Sequence, residues 1–180
     1  MHTLKLLLIC LCMPTLLWAQ KADKKKDDED KKATKELPLE PDRTYQLKTT
    51  EGTWMSLDIS PDGKMLVFDM IGDIYTVPVT GGKATRVIGD LSYETHPKFS
   101  PDGKMLAVTS DRSGAENVWT YHLASKEWKQ ITKDKDQHYQ SVEWTPDGEF
   151  LIASKGGRNL KLHIYHKDGG SGAQLIKKPA

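Results

Sequence analysis

A four-residue motif occurs three times in this chain and restricts the possible folds more than any other feature. The copies are Ser60-Pro61-Asp62-Gly63, Ser100-Pro101-Asp102-Gly103 and Thr145-Pro146-Asp147-Gly148, and their prolines are 40 and 45 residues apart. Repeats of this length are typical of propeller blades and solenoid units. We therefore divide residues 44–180 into three successive units, approximately 44–89, 90–133 and 134–180.

Each copy of the motif has the composition of a tight turn. Serine or threonine at the first position, proline at the second and glycine at the fourth are preferences of the type I turn. A glycine in the left-handed region then completes a three-residue hairpin loop with a bulge. We therefore predict that all twelve motif residues are structural and that each copy joins two antiparallel strands.

The residues around each motif have the patterns of strands. Before the first copy, Leu57 and Ile59 alternate with Asp58, and this period of two is typical of a half-buried strand. Pro97 precedes the second copy and cannot donate to a ladder, so its strand is predicted to lie at a sheet edge. Apolar runs after the motifs predict second strands at 65–68, 105–108 and 150–153, third strands at 74–77, 118–121 and 162–165, and polar fourth strands at 83–88, 127–132 and 173–177.

Four antiparallel strands in each repeat predict an all-β fold. The predicted architecture is an incomplete β-propeller of about three four-stranded antiparallel blades, preceded by a signal peptide and a disordered charged tether. A β-sandwich is the alternative, although sandwiches do not repeat a turn sequence every four strands. Because propellers typically have about 4–8 blades, we expect further blades in a longer protein. Without them, we expect the isolated chain to aggregate or to form oligomers.

The amino-terminal region has the pattern of an export signal. Lys5 precedes an apolar run over residues 6–19 that is shorter than the roughly 20 residues needed to span a bilayer. We predict a signal peptide over 1–19, with an uncleaved anchor as the alternative, and a charged disordered linker over 20–43. A periplasmic or secreted protein follows, with no transmembrane segment after cleavage. Both cysteines lie in the signal, so no disulfide is expected in the mature protein.

Composition and motifs predict neither a nucleic-acid partner nor a catalytic site. The 26 Lys and Arg residues nearly balance the 25 Asp and Glu residues, unlike the strongly basic binders of nucleic acids. No metal or other cofactor is predicted in this chain, because His163 and His166 are three residues apart and would lie on opposite faces of a strand. Residues 169–173 resemble a nucleophile elbow, but they lack its last glycine and are predicted to form a plain turn.

Polar residues before the three motifs are the best functional candidates. They occupy matching places, five and three residues before each motif proline, on the strands that would line the central channel of a propeller. There they would gate or bind a peptide or small substrate, and ordinary solvation of a wet pore is the alternative. The candidate channel-lining residues are Ser56, Asp58, His96, Lys98, Ser141 and Glu143.

The repeats also resemble a known family. The runs SPDGKMLAVTSDRSGAENVWTYHL and SPDGKMLVFDMIGDIYTVPVTGGKATRVI are similar to the TolB-type, WD-like propeller repeat. The segments GTWMSLDISPDG and WTPDGEFLIASKGG most resemble the N-terminal propeller of exported bacterial amidohydrolases. This resemblance implies a non-catalytic propeller segment that serves substrate access or domain docking. Its catalytic domain would lie beyond this chain.

The same resemblance implies partners and a cofactor for the parent protein. The partners would be the remaining blades, a downstream hydrolase domain and protein or peptide ligands, and the parent hydrolase would bind a divalent metal. Two alternatives remain open at this point. One is a TolB-like periplasmic protein-binding module, and the other is the propeller of a tricorn-like or prolyl-oligopeptidase-like protease.

Overall fold

The computed structural model describes residues 45–176, and all of their regular secondary structure is β. The strands form three four-stranded antiparallel sheets, each in chain order. The first sheet contains β1 (Leu57–Ile59), β2 (Met65–Met70), β3 (Asp73–Pro78) and β4 (Thr85–Ile88). The second contains β5 (Glu94–Phe99), β6 (Met105–Ser110), β7 (Asn117–His122) and β8 (Trp128–Gln130). The third contains β9 (Tyr139–Trp144), β10 (Phe150–Lys155), β11 (Lys161–His166) and β12 (Ala173–Gln174).

These sheets confirm the predicted all-β fold class. They also confirm the prediction that a strand follows each motif, since β2, β6 and β10 occupy these places. The fourth strands are shorter than predicted, and β12 pairs with β11 at only two register positions. Both residues of β12 are exposed, so little burial favours a longer strand there. The predicted signal peptide and the whole of the predicted linker lie outside the described residues. Between residues 45 and 176 there is no helix long and apolar enough to cross a bilayer.

Each motif forms a turn that its own side chains hold closed. The Gly63 N–H donates to the Ser60 carbonyl at 2.8 Å, and Gly63 has a φ of 67°. The Ser60 hydroxyl accepts from Met65 N at 2.9 Å and donates to Asp62 Oδ1 at 2.6 Å. The Ser60 N–H donates to the Met65 carbonyl at 2.8 Å, so four residues separate the paired positions. The predicted three-residue loop was therefore wrong.

Successive turns pack against one another. A Cβ atom at Gly103 would lie 3.5 Å from Cδ of Pro61, and one at Gly148 would lie 3.5 Å from Cδ of Pro101. The glycine of each later motif therefore faces the proline of the preceding one. At 3.5 Å a Cβ atom would make an ordinary van der Waals contact, so the positive φ is what favours glycine at the fourth position.

The three sheets pack face to face in sequence. We call the face of each sheet that carries Val67, Ala107 or Ile152 its forward face, and the opposite face its backward face. One apolar cluster lies between the forward face of the first sheet and the backward face of the second, and it consists of Val67, Ile74, Ile88, Phe99, Leu106, Val108 and Tyr121. The next cluster repeats this arrangement between the second and third sheets and includes Ala107, Val118, Val142, Trp144, Leu151, Ala153 and Tyr165.

Burial follows from this order. Strand β6 in the middle sheet is covered on both faces, and Leu106, Ala107 and Val108 are fully buried. By contrast, Leu57 and Ile59 on the backward face of the first sheet are 59% and 48% exposed. The apolar backward face of the first sheet therefore matches, position for position, the faces that are covered in the second and third sheets.

Candidate functional site

The first strands of the three sheets adjoin one another, because β5 packs against β1 and β9 packs against β5. The register places Asp58 opposite Val67, Lys98 opposite Ala107 and Glu143 opposite Ile152. These three predicted site residues therefore occupy equivalent positions on the forward faces of neighbouring first strands. Their side chains point toward the following sheet where there is one.

Charged and backbone groups join these three positions. Lys98 Nζ lies 3.0 Å from Glu143 Oε2, across the boundary between the second and third sheets. Asp58 Oδ2 accepts from the Phe99 N–H at 2.9 Å, across the boundary between the first and second sheets. Trp144 Nε1 donates to the Lys98 carbonyl at 3.2 Å. The first-strand edges are thus linked by polar contacts, with apolar packing behind them.

Ser56 and His96 meet at a residue that the sequence reasoning missed. Asp69 Oδ1 accepts from the Ser56 N–H at 2.9 Å, and Asp69 Oδ2 accepts from the His96 N–H at 2.8 Å. Asp69 is only 4% exposed. Its carboxylate therefore ties the start of the first sheet to the bulge in β5 between Thr95 and Lys98. The available signal was a single acidic residue within the otherwise apolar run of β2.

The bulge gives His96 an unusual backbone conformation. Its φ is 55°, in the left-handed region that histidine visits more often than most residues. One ring nitrogen, Nδ1, lies 3.0 Å from the Thr95 hydroxyl. In the third sheet, the exposed Ser141 hydroxyl bonds to the Ser154 hydroxyl and reaches no other predicted site residue. The six candidates therefore form two linked groups and one separate serine.

The structure places the two histidines and the glycine-rich segment of the third unit as predicted. His163 pairs with Ala153 and His166 pairs with Phe150, so the two histidines lie on opposite faces of β11. Residues 169–172 form the connection between β11 and β12. Within residues 45–176, no group of three or more His, Cys, Asp or Glu side chains is arranged to hold a metal ion.

A second polar cluster lies at the opposite end of the sheets from the motif turns. Arg112 lies in the connection between β6 and β7, and its guanidinium reaches Asp90, in the connection from the first sheet. It also lies 3.7 Å from the centroid of the Trp128 ring. Its neighbour Glu94 is fully buried, and desolvation raises the pKa of that carboxyl. The pairing is long-range because the loop folds over the boundary between two sheets.

Several aromatic residues of the strands pack in the cores. Tyr139 and Trp144 are buried, and burial raises the pKa of the Tyr139 hydroxyl. By contrast, Trp54 is fully exposed and has a φ of 60°. It precedes β1, and no neighbouring sheet covers it.

Comparison with known proteins agrees with the observed architecture. The family model described as the tricorn protease N-terminal beta propeller domain matches residues 55–175. Tricorn protease homolog 1 of Streptomyces coelicolor is 35% identical over 66% of this chain, which spans 12% of that protein. Dipeptidyl-peptidase 5 of Porphyromonas gingivalis is 31% identical over 54% of this chain, which spans 15% of that protein. The chain is thus much shorter than either relative.

A solved structure supports the fold independently. The putative TolB from Agrobacterium tumefaciens superposes with a TM-score of 0.62 at 21% identity, over 71% of this chain and 50% of that one. The repeat is therefore TolB-like, as its sequence predicts. Since the family model matches more than half of the chain, this protein belongs to the family of tricorn protease N-terminal β-propeller domains.

Proposed function

We propose that this chain is a non-catalytic propeller segment of an exported hydrolase, which serves substrate access or domain docking. The observation that carries the proposal is the placement of Asp58, Lys98 and Glu143 at equivalent positions on adjoining first strands. The similarity to a tricorn protease homolog and a dipeptidyl-peptidase supports a hydrolytic parent. Export is proposed from the signal-like residues 1–19.

The pair between Lys98 and Glu143 is suited to exchange. Their side chains are 28% and 59% exposed, and a partly exposed ion pair contributes only about 0–1 kcal/mol. A carboxylate or ammonium group of a passing substrate can therefore replace one partner at little cost. This property favours a gate for peptides or other charged small substrates over a rigid structural bridge.

The parent protein has three candidate classes, of which two are hydrolases and one is a binding module. A protease of the tricorn or prolyl-oligopeptidase type is favoured by the matched family and by both relatives. A metal-dependent amidohydrolase is supported only by the resemblance of segments such as GTWMSLDISPDG. A TolB-like protein-binding module is favoured by the structural similarity to a putative TolB.

Reading the gene past codon 180 separates these classes. Further blades followed by a serine nucleophile motif would support the protease. A His-x-His pair with additional His and Asp ligands would support the amidohydrolase. Further blades and then a stop codon would contradict a hydrolytic parent and support the binding module.

The access role is tested by kinetics of the full-length protein. We expect Lys98→Met and Glu143→Gln to change KM for long or charged substrates while kcat for a small neutral substrate stays unchanged. Lys129→Met is the matched control. Lys129 pairs with Asp168 between the same two sheets, but it lies on β8, the fourth strand of the second sheet, away from the first strands. Equal kinetics for all three variants and the wild type would contradict the access role.

A further inference from the structure

The turn between β2 and β3 has an unusual residue for its conformation. It consists of Ile71 and Gly72, and both have positive φ, 56° and 80°, as a type I′ turn requires. Asparagine or glycine is strongly preferred at such positions, and a β-branched residue there is an outlier. Ile71 is 78% exposed, so the strain is not offset by burial among the described residues.

Other exposed apolar side chains accompany this turn. A Cβ atom at Gly72 would lie 2.6 Å from the Tyr93 ring, so this ring packs directly on the turn. Tyr93 is 59% exposed, and Leu91 in the same connection between β4 and β5 is 69% exposed. Two hydrogen bonds fix the connection, from Tyr93 N to Asp111 Oδ1 and from Glu94 N to the Gly72 carbonyl. We call Ile71, Leu91 and Tyr93 the rim patch.

The surroundings of the rim patch are acidic. The connections at this end of the first two sheets, with the strand ends beside them, carry Asp73, Asp90, Glu94, Asp111 and Glu116. The two nearby guanidinium groups are already engaged, since Arg112 pairs with Asp90 and Arg86 pairs with Asp73. Asp111 is exposed and uses one oxygen for the Tyr93 N–H. Arg112 also pairs with the buried Glu94, and Glu116 lies beside His138, so Asp111 is the exposed carboxylate of this set that has no charged partner among the described residues. The patch therefore combines apolar surface with one free carboxylate in an acidic surrounding.

We propose that the rim patch binds a polypeptide segment in which an apolar side chain is flanked by lysine or arginine. The apolar side chain would cover Ile71 and Tyr93, and the neighbouring cation would face the exposed Asp111 carboxylate. A second copy of this chain fits poorly, because a two-fold interface would bring the same acidic patch against itself. The proposal does not depend on the class of hydrolase or on the first-strand site.

A single substitution separates binding from folding. Ile71→Asn places a residue that suits the left-handed turn, so it removes the proposed contact while relieving the backbone. Val79→Ser is the matched control, because Val79 is also exposed but follows the opposite end of β3. The probes are a fluorescein-labelled peptide of alternating leucine and lysine and its counterpart with glutamate in place of lysine. Binding to the full chain is followed by fluorescence anisotropy, and folding by melting temperature.

We expect the leucine–lysine peptide to bind the wild type and Val79→Ser equally, and Ile71→Asn at least tenfold more weakly. The melting temperature of Ile71→Asn should equal or exceed that of the wild type. Equal binding of the glutamate peptide, or unchanged binding to Ile71→Asn, would overturn the proposal. So would a concentration-dependent dimer of the wild type that Ile71→Asn abolishes, because the patch would then serve a second copy.

Discussion

Replacement of Asp69 by alanine should destabilise the protein more than any exposed acidic substitution. The change removes the acceptor of two backbone N–H groups, that of Ser56, which directly precedes β1, and that of His96 in β5. A buried donor left without an acceptor costs about 1–3 kcal/mol. Both bonds are only partly buried, so water compensates in part and the lower half of the range applies. We therefore expect a loss of about 2–4 kcal/mol in the free energy of unfolding.

The assay is denaturant unfolding of the full chain followed by tryptophan fluorescence. Asp69→Asn keeps one acceptor oxygen and should lose about half as much as Asp69→Ala. Asp136→Ala is the control, because Asp136 is exposed and bonds only to the neighbouring Gln137, so its effect should stay within about 0.5 kcal/mol. An Asp69→Ala variant as stable as Asp136→Ala would refute the role assigned to this carboxylate.

Three further predictions concern the turns and the buried acid. Hydrogen bonds from the motif hydroxyls lower the pKa values of Asp62, Asp102 and Asp147. The stability that these ionised aspartates provide should therefore be lost as pH falls below 3.8, the usual pKa of the group. Thermal melts from pH 6 to pH 3 should show this loss, and replacement of Asp62, Asp102 and Asp147 by asparagine should flatten it. Gly103→Ala should lower the free energy of unfolding, measured with denaturant, by about 1–2 kcal/mol, because a φ of 69° strains any residue with a side chain. A variant as stable as the wild type would contradict the positive φ at this position. Burial raises the pKa of Glu94 above its usual 4.5, so ionisation of this carboxyl destabilises the fold as pH rises. The melting temperature of the wild type should therefore fall relative to that of Glu94→Gln as pH rises. Parallel pH profiles of the two proteins would contradict this prediction.

Local periodicity made most of the fold predictable. Each motif is preceded by alternating polar and apolar residues and followed by an apolar run. All of these lie within about ten residues of one another, so the sequence alone predicts the turn and its two strands. Asp58, Lys98 and Glu143 each lie three residues before a motif proline, and this equal spacing alone predicts their matching positions. The boundaries of the fourth strands were less predictable, because those strands are exposed and their polar residues carry no clear period.

Contacts between sheets could not be predicted in the same way. Asp69 and His96 are 27 residues apart, and their bond depends on a bulge that only the folded first and second sheets create. Arg112 reaches Asp90 across 22 residues, although its own loop contains a neighbouring acid. Ile71 lies between the second and third predicted strands of the first unit, and its positive φ follows from the two-residue register between β2 and β3.

Zero-length cross-linking with a carbodiimide tests the sequential face-to-face packing of the sheets most directly. This reagent joins a lysine to a carboxylate in contact with it. Between the second and third sheets, Lys98 meets Glu143 near the first strands and Lys129 meets Asp168 near the fourth strand of the second sheet. The packing predicts that mass spectrometry of the digested protein recovers both cross-links, together with the bond between Lys167 and Glu149 within the third sheet. Recovery of the link within the third sheet without either link between sheets would contradict the packing.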